Sequence, residues 1–264
     1  MARIWGLGQV YPEYQSVFFD GKTPYIVVKA DTLDKVREVT TARPDAIIWA
    51  DVRISKGNVA YILPPHRDAD FLNAKAAAQK ANPTAQIMMG GKLSDYSWEQ
   101  INEFYNTTPA LKEYYEQFPK TRFILNVVDN VTDVESTVVE AIKDLNPDNR
   151  TLIQSDANVI SMAIKSLKPV WLYGTGTPDL MRLMSFDSMW VLPAVQFKGD
   201  VFIAPFKIMN RPGFNDDVIT EMQRRKKKIF LGPIKNEEDF KRAANFKIDG
   251  YITEDLKQLE SWMH

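Results

Sequence analysis

Cysteine is absent, and histidine occurs twice, once as the last residue, His264. A chain without thiols has no disulfide framework, no thiol nucleophile and no thiolate metal site. Two histidines, one of them terminal, leave almost no room for a mechanism that needs a histidine acid and a histidine base. Neither sign of charge is in excess: 33 Lys and Arg stand against 34 Asp and Glu, a formal net charge of −1. That argues against a nucleic-acid partner, whose protein footprint is basic. No apolar run reaches the roughly 18 residues of a membrane-spanning helix, so no transmembrane segment is expected. Met1 to Val10 lack the apolar core of a signal peptide. A cytoplasmic location is the expectation, and a periplasmic or secreted one if a leader has been removed.

What is present is ordinary for a globular chain. Hydrophobic residues make up 45% and charged residues 25% of 264 positions, enough to bury a full core without covalent staples. Short apolar runs alternate with helical patterns. Strands are expected at Tyr25–Lys29, Ala46–Arg53, Val59–Leu63, Arg122–Val128, Thr151–Gln154, Val170–Tyr173, Asp200–Ala204, Ile229–Leu231 and Gly250–Ile252. Ser55 to Asn58 is too short for a parallel crossover, so Val59–Leu63 should return as a hairpin. Helix starts lie between the strands. Ser97 with Gln100 and Thr132 with Glu135 fit capping boxes, and Asn236 precedes two glutamates. Thr108-Pro109 and Thr177-Pro178 fit a cap followed by proline in the first turn. Setting the hairpin strand aside leaves eight strands separated mostly by helices, the arithmetic of a (β/α)8 TIM barrel of about 250 residues. An open doubly wound sheet is the alternative, but no G-x-G-x-x-G turn follows the first strand. One domain, residues 1–264, is expected, with Pro64 to Ser97 as a helical excursion inside it.

In such a barrel, function sits at the carboxyl ends of the strands. On the second strand Ile47, Trp49, Asp51 and Arg53 share one face, which turns aromatic and charged toward the mouth. An internal ion pair that positions the strand is the competing reading of Asp51 and Arg53. Trp190, Phe197, Phe202 and Phe206 are expected mainly as barrel core, with an exposed patch for a second copy as the alternative. Gly174-Thr175-Gly176-Thr177-Pro178 reads as a turn with a threonine cap, and Arg224 to Lys228 as a solvated helix end.

Several segments carry a resemblance in order. Pro44 to Gly57, with Asp45-Ala46-Ile47-Ile48-Trp49-Ala50-Asp51-Val52 at its centre, resembles the A-D-x-(I/V)-E-x-D-V segment of glycerophosphodiester phosphodiesterases. Val59 to His66-Arg67-Asp68 is similar to the strand and His-Asp pair that follow in that family. Thr108-Pro109-Ala110-Leu111-Lys112-Glu113 looks like its P-x-L-x-E helix, and Arg122 to Val128 like the strand after it. Ile153-Gln154-Ser155, Lys228 to Asp239 and Asp249-Gly250-Tyr251-Ile252-Thr253-Glu254-Asp255 match later segments. The likeness spans about residues 24–257.

The resemblance implies hydrolysis of glycerophosphodiesters with Ca²⁺ or Mg²⁺ held on three carboxylates, between two histidines acting as acid and base. Carried over position by position, the pattern is mostly lost. The first His-Arg pair corresponds to Lys29 and Ala30, the first metal-binding Glu to Trp49, the third carboxylate to Asn126 and a nearby Lys to Val128. The Trp over the substrate corresponds to Gly232. The metal-binding Asp remains as Asp51, and His66 stands two residues late for the second histidine.

One Asp and one amide make a poor cage for a hard divalent cation, and Lys29 is expected to neutralise Asp51 instead. The leading expectation is therefore a pseudoenzyme without a cofactor. Its mouth offers Lys29, Trp49, Asp51, Arg53 and Asn126, with His66 nearby, to an anionic or phosphate-bearing molecule such as a lipid headgroup. One alternative is an active phosphoric diester hydrolase using Asp51 and His66. It would hold Ca²⁺ or Mg²⁺ on Asp51 with help from Asp31, Asp68, Asp129 or Asp156, and His264 is its other histidine. A further alternative is an interaction protein or homo-oligomer using the same face.

Overall fold

The computed structural model describes residues 9–13, 15–81, 91–106, 108–205 and 216–263. Its sheet is a nearly closed (β/α)8 barrel. The strands are β1 (Tyr25–Lys29), β2 (Ile47–Ile54), β3 (Ala60–Ile62), β4 (Arg122–Val127), β5 (Thr151–Gln154), β6 (Leu172–Tyr173), β7 (Val201–Pro205), β8 (Lys228–Ile234) and β9 (Gly250–Thr253). Their order is β6-β5-β4-β2-β1-β9-β8-β7, all parallel, with β3 attached to β2 as the antiparallel hairpin arm. The hairpin turns at Gly57 (φ 96°) and Asn58 (φ 61°), two residue types that accept a positive φ.

Strand alternation decides which side chains fill the barrel. Val27, Ile47, Trp49, Ile124, Leu152, Val201, Ile203, Phe230 and Ile252 point inward and form one buried cluster. Their neighbours Val28, Ile48, Ala50, Val52, Phe123, Leu125, Ile153 and Phe202 pack outward under the helices. At the amino ends of the strands, Phe19, Tyr25 and Phe230 meet with ring centroids 5.8 to 6.1 Å apart and close the floor. Between β6 and β7 the closure is made partly by side chains. Thr175 Oγ1 donates to Val201 O and accepts from Ile203 N, each at 3.0 Å, while Asp200 Oδ2 accepts from Tyr173 N at 3.1 Å. This leaves β6 only two residues long, shorter than expected, with Val170 66% exposed ahead of it.

The helices are α1 (Leu33–Ala42), α2 (Asp68–Ala81), α3 (Trp98–Tyr105), α4 (Leu111–Gln117), α5 (Val134–Ile142), α6 (Asn158–Leu167), α7 (Thr177–Ser188), α8 (Asp216–Arg224), α9 (Glu237–Ala244) and α10 (Leu256–Met263). The Ser97–Gln100 capping box and the Asn236 cap are present. Three expected starts are corrected. Asp133, in a left-handed conformation, precedes α5 in place of a Thr132 cap. Ala110 precedes α4, because the Thr108 backbone and hydroxyl are tied to Asn102 Oδ1. Gly176 precedes α7, with Thr177 already helical.

The basic run is corrected too. Arg225 is 5% exposed and donates to Glu221 and to the carbonyls of Val195, Leu192 and Pro193. Lys228 begins β8 and pairs with Asp249 at 2.9 Å. Of the aromatics, Phe202 is fully buried, Phe197 packs partly against the core and Trp190 is 90% exposed. Phe206 lies outside the described residues. The excursion after β3 has its own small core, in which Phe71, Leu93, Tyr96 and Ile101 cover Tyr61 and Leu63 of the hairpin. Among the described residues no helix is long and apolar enough to cross a membrane.

Candidate ligand site at the barrel mouth

The carboxyl ends of the strands surround a cavity of about 330 Å³. Lys29 ends β1, Trp49 lies on β2, Asn126 on β4 and Gln154 ends β5, and all four line it. Opposite them stand Ile203 and Pro205 of β7, Gly232 and Pro233 of β8, Ile252 of β9, and Leu180 and Met181 of α7. The parallel register that aligns Lys29 with Trp49, and Asp51 with Asn126, brings the polar members together.

Asp51 is held by its neighbours. Its Oδ1 accepts from Trp49 Nε1 at 2.9 Å and from Asn126 Nδ2 at 2.7 Å. The expected pairing of Lys29 with Asp51 is corrected: Lys29 Nζ lies 5.5 Å from the centroid of the Trp49 ring, a cation–π arrangement, and makes no ion pair with Asp51 within 4.0 Å. The indole is thus fixed on two sides, by the carboxylate at its N–H edge and by the ammonium over its face.

Arg53, near the end of β2, and Asp68 belong to a second cluster beside the β2–β3 hairpin. The Arg53 guanidinium, 5% exposed, donates to Asp129 Oδ1 at 2.7 Å and to Asp68 Oδ1 at 2.5 Å. Asp129 Oδ2 also accepts from Ile54 N at 3.0 Å. Burial pushes the Asp68 carboxyl above its ordinary range, and Arg53 pulls it only partly back. Arg53 ties three elements together here: the end of β2, the start of α2 and the loop after β4. This is the internal ion-pair arrangement weighed for Arg53, with partners other than Asp51.

His66 sits in an exposed turn, Pro65–Arg67, and is not among the residues lining the cavity. Of the predicted residues the fold brings together Lys29, Trp49, Asp51 and Asn126 and leaves Arg53 and His66 outside. His264 lies outside the described residues.

The donor set does not suit a divalent cation. The one retained carboxylate has an oxygen committed to two N–H donors, the amide of Asn126 presents its nitrogen to it, and an indole fills the remaining family position. Asp68 and Asp129 are committed to Arg53. Among the described residues no three Asp, Glu or His side chains converge as a metal site.

Gly232 is equally telling. A Cβ there would lie 2.4 Å from Ile252 O, so β8 and β9 approach too closely for any side chain at the position where the resemblance places a substrate-covering tryptophan. Gln154 was not among the expected site residues. It is 6% exposed and donates Nε2 to Thr175 O at 2.8 Å, while its Oε1 has no partner. Its signal in the sequence is an amide that ends a short buried strand, Thr151–Gln154.

No protein-family model matches the chain, and no curated protein matches it. Solved structures do. The glycerophosphoryl diester phosphodiesterase domain of a Mycobacterium tuberculosis protein is 13% identical with a TM-score of 0.69, over 92% of this chain and 100% of that one. A glycerophosphodiester phosphodiesterase from Parabacteroides distasonis is 13% identical with a TM-score of 0.66, over 92% and 98%. An Oleispira antarctica phosphodiesterase in complex with its product, sn-glycerol-3-phosphate, is 15% identical with a TM-score of 0.65, over 94% and 99%. These likenesses establish the barrel frame, traced from end to end of each partner.

Proposed function

We propose that this chain, built on the glycerophosphodiester phosphodiesterase frame, is a pseudoenzyme that binds an anionic, phosphate-bearing small molecule at the barrel mouth. The observation that carries the proposal is the contact of Trp49 Nε1 and Asn126 Nδ2 with Asp51 Oδ1, which puts two N–H donors where the resemblance calls for oxygen ligands. Lys29 then supplies the positive charge of the mouth. An ammonium on the wall of a partly enclosed cavity fits an oxyanion. The phosphate ester held by the Oleispira phosphodiesterase supports a ligand of this kind in a frame of this kind.

Hydrolysis would need an acid and a base poised on either side of the phosphorus. Among the described residues, those lining the cavity include no histidine, and His66 stands apart from them. The test is glycerophosphocholine, followed both by calorimetry and by choline release with Mg²⁺ or Ca²⁺ present. Binding that weakens about tenfold or more in Lys29→Ala, roughly the loss of one charge-assisted hydrogen bond, with no turnover above background, is the expected result. Turnover lost in Asp51→Asn would overturn the proposal in favour of an active hydrolase.

A further inference from the structure

We infer that the mouth takes a monoanionic head joined to an apolar body, an amphiphile rather than a small polyol phosphate. The inference rests on the anion-binding reading above and concerns what else the ligand carries. Its basis is the way the ring order of the strands sorts the cavity wall. The contiguous strands β1, β2, β4 and β5 supply Lys29, Trp49, Asn126 and Gln154. The contiguous strands β7, β8 and β9 supply Ile203, Pro205, Pro233 and Ile252, and the first turns of α7 add Leu180 and Met181. Asp156 after β5, and Thr175 and Thr177 after β6, extend the polar arc, so the wall is polar from β1 round to the start of α7 and apolar from β7 to β9, with Leu180 and Met181 beside it.

Gly232 keeps the apolar half open, since no side chain can stand there to fill it. Met181 is 49% exposed at the rim, an apolar surface that a hydroxylated ligand would leave in water and an alkyl chain would cover. Val159 and Met162, 61% and 50% exposed, lie in the first turns of α6, at the same end of the barrel.

Charge limits the head. Lys29 is the one cationic side chain among the described residues lining the cavity, and the Asp156 carboxylate also lines it. Asp51 lies against both Trp49 and Asn126. A single negative charge is balanced by the Lys29 ammonium. A second would face the Asp156 carboxylate, with no further cation among the described residues that line the cavity.

The test is calorimetry with glycerophosphocholine and with its acetyl, butanoyl and hexanoyl monoesters, each kept below its micelle concentration. Affinity should rise about fourfold for each methylene that enters the apolar half, and at least about tenfold from acetyl to hexanoyl. Met181→Gln should cut that ratio to about threefold or less, reflecting the lost apolar contact. Lys29→Ala should weaken every member of the series while keeping the ratio. Val170→Ser, which removes an exposed apolar side chain ahead of β6 at the far end of the barrel, should leave the ratio unchanged.

Lys29-dependent binding of glycerophosphocholine with no gain from the chain would overturn the inference and leave the anion site standing. No binding by any member of the series would overturn both. A gain unchanged in Met181→Gln would mean that the chain lies elsewhere, and would overturn the inference. Hexyl phosphate compared with methyl hexyl phosphate at pH 8 tests the head: the diester should bind more tightly, and tighter binding of the dianion would contradict the monoanionic site.

Discussion

A carboxylate, an indole and an amide decide what Asp51 can do. Its Oδ1 is engaged twice, at 2.9 and 2.7 Å, by donors that come from β2 and β4. Asn126 entered through the resemblance, and the shared face of Trp49 and Asp51 was legible in the sequence from strand alternation. The contact of Lys29 was not, because an ammonium has a choice between a carboxylate and an aromatic face, and the choice depends on rotamers. Arg53 shows the same limit more strongly. Its partners Asp68 and Asp129 are 15 and 76 residues away along the chain, and only the folded hairpin and the β4 loop bring them to one guanidinium. Arg53→Ala would leave two partly buried carboxylates, Asp68 at 34% and Asp129 at 13% side-chain exposure, without their shared cation. It should cost about 1–3 kcal/mol in chemical denaturation, the range for removing one partner of a buried hydrogen-bonded group.

The strands were legible because the barrel needs apolar runs at regular spacing, and the hairpin because four residues cannot make a crossover. The helix starts were less so. Ser97 and Asn236 cap as their side chains suggest, whereas Thr108 is diverted to Asn102 by tertiary contact. The pairing of β8 with β9 yields one prediction. Gly232→Ala puts a Cβ 2.4 Å from Ile252 O, and the strands must separate to admit it. A loss of about 1–3 kcal/mol is expected from urea midpoints. The end of α8 yields another. Burial tends to raise the Glu221 carboxyl, but its hydrogen bonds and charge contacts with Arg224 and Arg225 overcome that and hold it below the ordinary 4.5. A carboxyl depressed in the folded state contributes stability that is fully present above its unfolded value and lost as pH falls through the folded one. The stability difference between the native chain and Glu221→Gln should therefore be constant above about pH 5 and shrink below pH 4.5. Denaturant unfolding from pH 3 to 7 checks it, and a difference that grows toward acid would be the wrong sign.

At the scale of the whole molecule, the barrel frame and its mouth rest largely on different residues. The aromatic floor and most of the outward core depend on residues that do not line the mouth, while Thr175 and Leu180 serve both. The mouth depends on a few strand-end positions, and there Lys29, Trp49, Asn126 and Gly232 replace what the resemblance would require. The frame was readable from the order and spacing of the strands, and these departures only through the resemblance. The two-sided wall was not, because it exists only once β7, β8 and β9 are placed opposite β1, β2 and β4. The central claim is that Asp51 is engaged by N–H donors and carries no divalent cation. Calorimetric titration of the native chain with Ca²⁺ and with Mg²⁺ tests it most directly. The account predicts no micromolar binding of either ion; a micromolar site that disappears in Asp51→Ala would contradict it.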